Sequence, residues 1–188
     1  MPCLYKHTNM SDKFRNIYRI SSSRLSNWDY SNNGYYFITI CTKERNHYFG
    51  EIINGIMQFS KTGKVVKKHW LEITDHFPFV ELDEFVVMPN HMHGIVIIKN
   101  ILPHVETPKL GVSTTENTKN KNWKSGCLGL IINQYKRICT INIRKKYGDF
   151  SWQSRFYDNI ISNEKSFYYI HQYIRDNPLN WENDRNNL

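Results

Sequence analysis

The stretch VELDEFVVMPNHMHGIVIIK, Val80–Lys99, contains two apolar runs that are separated only by Pro89 and Asn90. Short apolar runs bounded by turn residues are typical of strands, so this stretch predicts an antiparallel hairpin. The second strand begins with His91 and His93. Because successive side chains of a strand alternate between its faces, we expect both imidazoles on one side of the sheet, about 6.5 to 7 Å apart along the backbone.

The segments on either side of this hairpin complete an α+β pattern. Aromatic and β-branched residues predict one more strand, Asn54-Gly55 predicts a second hairpin, and apolar residues at helical spacing predict three helices. In chain order we expect a strand at 35–42, a hairpin at 51–58, a helix from Ser60 to Phe77, the hairpin at 80–99, a long helix from Gly126 to about Gly148, and a last helix from Ser162 or Asn163 to Asn177. This order favours an antiparallel sheet with helices segregated to one side.

Length and composition favour one intracellular domain. The 188 residues suffice for a single core, and the four cysteines form no CxxC pair. No apolar run approaches the ~20 residues that span a bilayer, so we expect a soluble cytoplasmic protein. We divide the chain into a basic N-terminal arm at 1–33, a main domain at 34–181 with a flexible insertion at 100–125, and a C-terminal tail at 182–188.

The charge balance favours nucleic acid as the partner. Lys and Arg number 25 against 17 Asp and Glu, a net charge of +8, and aromatic residues make up 14% of the chain. A basic field attracts polyanions, and aromatic side chains stack on unpaired bases. The basic residues of the long helix fit either a solvated surface or a phosphate-binding stripe. The candidate DNA contacts are Arg19, Arg24, Lys136, Arg137, Arg144, Lys145, Lys146 and Arg155.

Two residues of the last helix extend the candidate site that begins with the histidines. Tyr173 and Asn177 are four residues apart, which places them about 40° apart around a helix axis and presents phenol and amide side by side. A His-x-His pair can hold a divalent cation, and a cation that polarises the electrophile would compensate for the high pKa of a phenol. The alternatives are structural: the histidines are hydrogen-bonded core residues and Tyr173 is a packing residue with a polar tip.

Two motifs carry a family resemblance. Pro89-Asn90-His91-Met92-His93, followed about 80 residues later by Tyr173-Ile-Arg-Asp-Asn177-Pro178, resembles the signature of the single-tyrosine HUH transposases. The branch called REP-associated tyrosine transposases, with an IS200-like domain, is the most similar. The likeness covers most of the chain from about Arg24 to Trp181, including residues 29–42, 83–88 and 152–158. The order and spacing of these motifs together are highly specific.

The resemblance implies a fold, a site and a reaction. The fold would be the ferredoxin-like HUH nuclease fold, a central antiparallel sheet with helices on its faces. His91 and His93 would hold Mg²⁺ or Mn²⁺, Tyr173 would be the nucleophile, and Asn177 would be a third ligand where relatives more often have glutamine. The substrate would be single-stranded or hairpin DNA, cleaved and rejoined through a 5′-phosphotyrosine. Insertion-sequence relatives form homodimers that exchange the tyrosine helix, and for this chain we expect either a monomer or a homodimer.

Two other functions fit the same residues. One is a catalytically silent nucleic-acid-binding regulator that keeps the fold. The other is a metal-dependent nuclease in which His91 and His93 activate water and Tyr173 only orients it. A purely binding descendant has no chemical reason to hold both histidines together with Tyr173 and Asn177, so we favour the transposase.

Overall fold

A four-stranded antiparallel sheet forms the centre of the molecule. Its strands lie in the order β6 (Val80–Val87), β7 (His91–Ile98), β3 (Gly34–Cys41) and β8 (Tyr157–Ile161). The predicted hairpin of residues 80–99 is confirmed, because β6 and β7 pair antiparallel. β7 also pairs with β3 along its whole length, and all eight of its residues are buried. The hairpin strand that carries both histidines is therefore the interior strand around which the sheet is built.

The computed structural model describes residues 28–99 and 127–187, and the backbone of two short paired strands, β1 (Lys13–Phe14) and β2 (Ile17–Tyr18). The predicted insertion at 100–125 lies outside the described residues, as do Arg19, Arg24 and most of the predicted N-terminal arm. Across 28–99 and 127–187, no helix is both long enough and apolar enough to cross a bilayer.

The observed helices and the second hairpin lie close to the positions predicted from the sequence. Their bounds are β4 (Gly50–Ile53), β5 (Ile56–Phe59), α1 (Lys61–Leu71), α2 (Ile73–His76), α3 (Leu128–Tyr147) and α4 (Glu164–Asp176), with 3₁₀ turns at Lys43–Arg45 and Trp181–Asn183. Ser60 caps α1 by accepting a hydrogen bond from the Gly63 amide, and Asn163 caps α4 in the same way. The helix predicted from residue 60 to 77 is interrupted at Glu72, which separates α1 from α2.

The helices pack on both faces of the sheet, so the fold class is α+β with helices on the sheet faces. On one face α1 and α3 cover the larger core, where the rings of Trp70 and Tyr135 meet edge to face with centroids 5.3 Å apart. On the other face α4 covers a smaller cluster formed by Phe37, Ile95, Ile97, Ile161 and Ile174. The arrangement that the family resemblance implies, a central antiparallel sheet with helices on its faces, is confirmed. The one-sided arrangement that the element order favoured was wrong, because α4 packs on the face opposite α1 and α3.

The sequence analysis did not predict β8. This strand contains Asp158 and Asn159, residue types that are depleted in strands, and it is only five residues long. It forms at the sheet edge because β3 offers a free row of backbone groups, with Phe37 aligned to Asn159. β8 leads directly into α4, so it sets where the last helix begins.

Gly94 allows the close approach of α1 to β7. A Cβ atom at this position would lie 2.5 Å from Cζ2 of Trp70, which is fully buried. We expect Gly94→Ala to lower the free energy of unfolding by about 1–3 kcal/mol, measured by urea denaturation, because the packed indole cannot move away freely. Adding Trp70→Phe to the Gly94→Ala protein should restore part of the lost free energy of unfolding, because the smaller ring leaves room for the added methyl group. A Gly94→Ala protein within about 0.5 kcal/mol of wild type would contradict the packing argument.

Candidate active site

Two buried histidines of β7 lie next to each other on the α4 face of the sheet. His91 and His93 have no exposed surface, whereas Met92 between them points into the larger core. Their Nε2 atoms are 3.1 Å apart. Two ligand nitrogens about 2.1 Å from one cation and at right angles to each other would be separated by about 3.0 Å, so the pair fits a single divalent ion.

A hydrogen bond to Asn90 fixes the tautomer of His91. The Asn90 amide donates from Nδ2 to the carbonyls of Arg45 and Asn186, at 3.2 and 2.7 Å, which leaves its Oδ1 as an acceptor. This oxygen lies 2.8 Å from Nδ1 of His91, so Nδ1 must carry the hydrogen. The Nε2 atom of His91 then presents a lone pair to the site, which is the form of histidine that binds a metal.

Thr39 plays the corresponding part for His93. Its Oγ1 lies 2.8 Å from Nδ1 of His93. A hydroxyl group can donate or accept, so Thr39 supports either tautomer of the ring. His93 can therefore present a proton at Nε2 or a lone pair for a cation, depending on what occupies the site.

The last helix brings Tyr173 to the histidines of the same chain. Ile174 of α4 is fully buried against the sheet, and Tyr173 beside it remains 42% exposed. The phenol oxygen of Tyr173 lies 3.2 Å from Nε2 of His93, and the two ring centroids are 5.1 Å apart. A side chain that touches the buried pair while remaining open to solvent can reach a large substrate from outside.

Asn177 contributes a buried oxygen to the same cluster. It caps the C-terminus of α4 and is 2% exposed, and its carboxamide lies near enough to His91 and Tyr173 to affect the pKa of each. Its Oδ1 has no hydrogen-bond partner among the residues that the structure describes. A buried carboxamide oxygen without a donor is costly unless a cation or water satisfies it, so this atom fits a metal ligand.

The segment after α4 adds a carboxylate that the sequence analysis missed. Residues 182–187, assigned above to a tail, fold back so that Oδ2 of Asp184 lies 4.0 Å from Nε2 of His91. Ligand atoms of His91, His93 and Asp184 all lie within 4.8 Å of one another. The Trp181 ring stacks on the His91 ring with centroids 6.0 Å apart. No periodicity marks this segment. The only signal in the sequence was an acidic residue shortly after Asn177, which was itself a predicted metal ligand.

Burial controls the protonation of the three side chains. Loss of solvent lowers the pKa of His91 to about 4, although the Asp184 carboxylate acts in the opposite direction. Burial also lowers the pKa of His93 well below its usual value, and the neighbouring His91 adds to this effect. Both rings are thus neutral at pH 7 and able to bind a cation. Burial, followed by the charge of Asp184, raises the pKa of Tyr173, so its phenol is protonated at neutral pH.

The predicted DNA contacts lie in more than one place. Lys136, Arg137 and Arg144 line one groove beside α3, whereas Lys145, Lys146 and Arg155 are exposed elsewhere. Two arginines that the sequence analysis did not select, Arg45 and Arg185, lie close enough to both histidines to lower their pKa values. Guanidinium groups in such positions can bind an anionic ligand.

Comparisons with known proteins agree with this architecture. No protein-family model matches the chain. A protein from Haemophilus influenzae, described as uncharacterized, is 40% identical over 171 residues, which cover 90% of this chain and 93% of that protein.

The chain is also similar to two solved structures. A REP-associated tyrosine transposase bound to a REP hairpin superimposes with a TM-score of 0.51 at 19% identity, covering 86% of this chain and 74% of the other. A structure described as a putative transposase from Deinococcus radiodurans has a TM-score of 0.44 at 14% identity, with coverage of 84% and 97%. At such identities the first superposition establishes a shared fold.

Proposed function

We propose that this chain, which belongs to the same family as the uncharacterized Haemophilus influenzae protein and has the fold of the REP-associated tyrosine transposase, is a metal-dependent transposase. It would cleave and rejoin single-stranded or hairpin DNA through a 5′-phosphotyrosine intermediate. The observation that carries the proposal is the 3.2 Å approach of the Tyr173 oxygen to His93 within a His-His-Asp cluster.

The cation would be held by nitrogen and oxygen ligands of this chain. His91 and His93 supply neutral nitrogens, and Asp184 supplies a charged oxygen. Asn177 offers the buried carboxamide oxygen described above. A mixed set with two imidazoles suits Mn²⁺, and it suits Mg²⁺ when water completes the shell. When bound, the divalent ion supplies charge stabilisation to the phosphate and orients it for in-line attack.

Tyr173 would be the nucleophile. Its oxygen forms a bond to phosphorus while the bond to the 3′ oxygen of the leaving strand breaks. The phenol loses its proton as this happens, and the leaving oxygen gains one to become a 3′-hydroxyl. His93 Nε2 has one lone pair, so this nitrogen would no longer accept a hydrogen bond from the phenol if it held a cation, and Tyr173 would then be free to face the phosphate.

The reverse reaction uses the same residues. A 3′-hydroxyl that occupies the place of the departed strand attacks the phosphotyrosine and returns Tyr173 to its phenol form. The link conserves the bond energy of the phosphodiester, so rejoining needs no nucleotide cofactor. Arg45 and Arg185, whose charges act on both histidines, would hold the phosphate charge during both steps.

A single assay distinguishes this activity from the other candidates. The protein is incubated with end-labelled single-stranded DNA and Mn²⁺, and the products are separated under denaturing conditions. The transposase predicts a protein–DNA adduct and a free 3′-hydroxyl fragment. Cleavage without an adduct would instead support the water-dependent nuclease, and binding without cleavage would support the silent regulator.

Asp184→Asn tests the carboxylate ligand separately from the nucleophile. The change keeps the shape of the side chain and removes its charge, so we expect Mn²⁺ affinity to fall by at least about 10-fold. The affinity can be measured from the free Mn²⁺ signal in electron paramagnetic resonance. Glu182→Gln, in the same segment but exposed, is the matched control. Equal Mn²⁺ affinity in Asp184→Asn and Glu182→Gln would exclude Asp184 as a ligand.

A further inference from the structure

A basic groove runs between α3 and residues 151–154. It encloses about 440 Å³ and is lined by Lys136, Arg137 and Arg144 of the helix. Across Trp152, Gln153 and Ser154 it adjoins a second cavity of about 430 Å³, whose lining includes Thr42, Lys43 and Arg45. Each of these volumes is within the range of sites that hold small molecules, which is about 300–1,000 Å³.

Lys136 is the unusual member of this groove because its charge is buried. The residue is 9% exposed, and its ammonium group donates a hydrogen bond of 2.6 Å to the Gln153 carbonyl. Within residues 28–99 and 127–187, no carboxylate lies within ion-pair distance of it. Burial lowers the pKa of Lys136 to about 8. A solvated basic surface does not explain a lysine that has been removed from solvent, whereas an anion in the groove would give it a partner.

Arg144 and Arg137 place two more cations along the same wall. Arg144 is held in position by hydrogen bonds to the Phe150 carbonyl at 2.9 Å and to Ser151 Oγ at 3.1 Å, which leaves other N–H groups of its guanidinium for a ligand. Arg137 is exposed one helical position beyond Lys136. Ile141, 46% exposed, and Trp152 give the same wall an apolar surface on which a base can lie.

The groove lies beside the end of the sheet that carries the candidate active site. The amide of Gln153 donates to the Cys41 carbonyl at 2.8 Å, and Cys41 is aligned with His91 in the sheet. Thr42, which lines the second cavity, donates from Oγ1 to the Asn90 carbonyl at 2.9 Å. Arg45 contacts Asn186 beside the site. Lys43, Arg45 and Lys136 therefore lie around the same end of the sheet as the histidines, together with the Glu44 carboxylate, which also lines the second cavity and pairs with Lys43.

We propose that this groove holds the sugar–phosphate backbone of the unpaired DNA strand that leaves the active site, with a phosphate bound to Lys136 and neighbouring phosphates bound to Arg137 and Arg144. The identity of the strand rests on the proposed function. The class of ligand, a single-stranded phosphodiester, rests on the groove itself. A strand held there is positioned by contacts that are independent of base sequence.

The test measures DNA binding without chemistry. In a Tyr173→Phe background, fluorescence anisotropy follows binding of a labelled single-stranded oligonucleotide between about 50 and 200 mM NaCl. Lys136→Met and Arg137→Gln are compared with Lys64→Met, which removes the same charge from the exposed surface of α1. Arg137 is exposed, so its variant is not expected to disturb the core.

Each groove variant should reduce the salt slope by about 0.7 and weaken binding about 5-fold near 100 mM NaCl, which is the loss of one phosphate contact on a single strand. Lys64→Met should stay close to the parent. Groove variants that behave like Lys64→Met would overturn the proposal, and so would an equal loss on blunt duplex DNA. Adduct formation is measured separately with Tyr173 intact, and its absence would refute the proposed function. If the adduct forms normally but the groove variants bind DNA as tightly as the parent, only the proposal about the groove is refuted.

Discussion

Tyr173→Phe is expected to abolish adduct formation and to reduce DNA cleavage by at least about 10³-fold, because the variant lacks the oxygen that attacks phosphorus. The ring contacts with His93 and Phe37 remain available to phenylalanine, and the side chain is 42% exposed. The free energy of unfolding should therefore change by less than about 1 kcal/mol. DNA binding should persist, since the groove residues are unaltered.

Two neighbouring tyrosines provide matched controls for this result. Tyr168 and Tyr169 lie on the same helix and are 62% and 61% exposed. Tyr168→Phe and Tyr169→Phe remove the same atom from α4 and should leave adduct formation within about 2-fold of wild type, as expected of surface changes away from the site. If either of these variants lost the adduct while Tyr173→Phe still formed it, the nucleophile would be a residue other than Tyr173.

His91→Ala and His93→Ala are expected to remove both metal binding and cleavage. A ligand that binds only the folded state at one hundred times its dissociation constant contributes about 2.7 kcal/mol, which for a domain of this size raises the melting temperature by about 5–11 °C. Wild-type protein should show such a rise with Mn²⁺ and lose it with EDTA. Each histidine variant should show little rise at the same Mn²⁺ concentration.

The histidine variants also carry a structural cost, which the design must separate from metal loss. His91→Ala leaves the Oδ1 atom of Asn90 without its donor, and we expect about 1–3 kcal/mol of destabilisation even without metal. His69→Ala serves as the control, because His69 pairs with Glu72 on α1 away from the sheet site. A metal-induced rise that survives in His91→Ala or His93→Ala would refute the assignment of these residues as ligands.

The parts of the fold that sequence patterns predicted are those determined locally. The hairpin at 80–99, the Asn54-Gly55 turn and the capped helices depend on turn residues and periodicity that lie within one segment. β8 forms through pairing with β3, although its own residues disfavour a strand. The crossing of α4 to the second face follows from β8, so the one-sided arrangement inferred from element order failed for the same reason.

The candidate site shows a similar division. Alternation along β7 was sufficient to place His91 and His93 on one face, and the family resemblance singled out Tyr173 and Asn177. The roles of these residues remain predictions. Asp184 joins them only because an aperiodic segment folds back, with Asn186 buried and bound to Asn90. No rule of local periodicity places such a segment.

The part played by Asn90 was also invisible in the sequence, although the residue stands inside the motif. Its function is to accept the Nδ1 hydrogen of His91 while both of its own donors are used by backbone carbonyls. That assignment needs the positions of Arg45 and Asn186, which come from distant parts of the chain. The orientation of the histidine therefore depends on tertiary contacts rather than on the motif alone.

The most direct measurement of the central claim is the identity of the atom that becomes attached to DNA. Adduct formed with single-stranded DNA and Mn²⁺ is digested with protease and nuclease, and the modified peptide is identified by mass spectrometry. The account predicts a nucleotide joined through its 5′-phosphate to Tyr173. An adduct at any other residue, or a link through a 3′-phosphate, would contradict it.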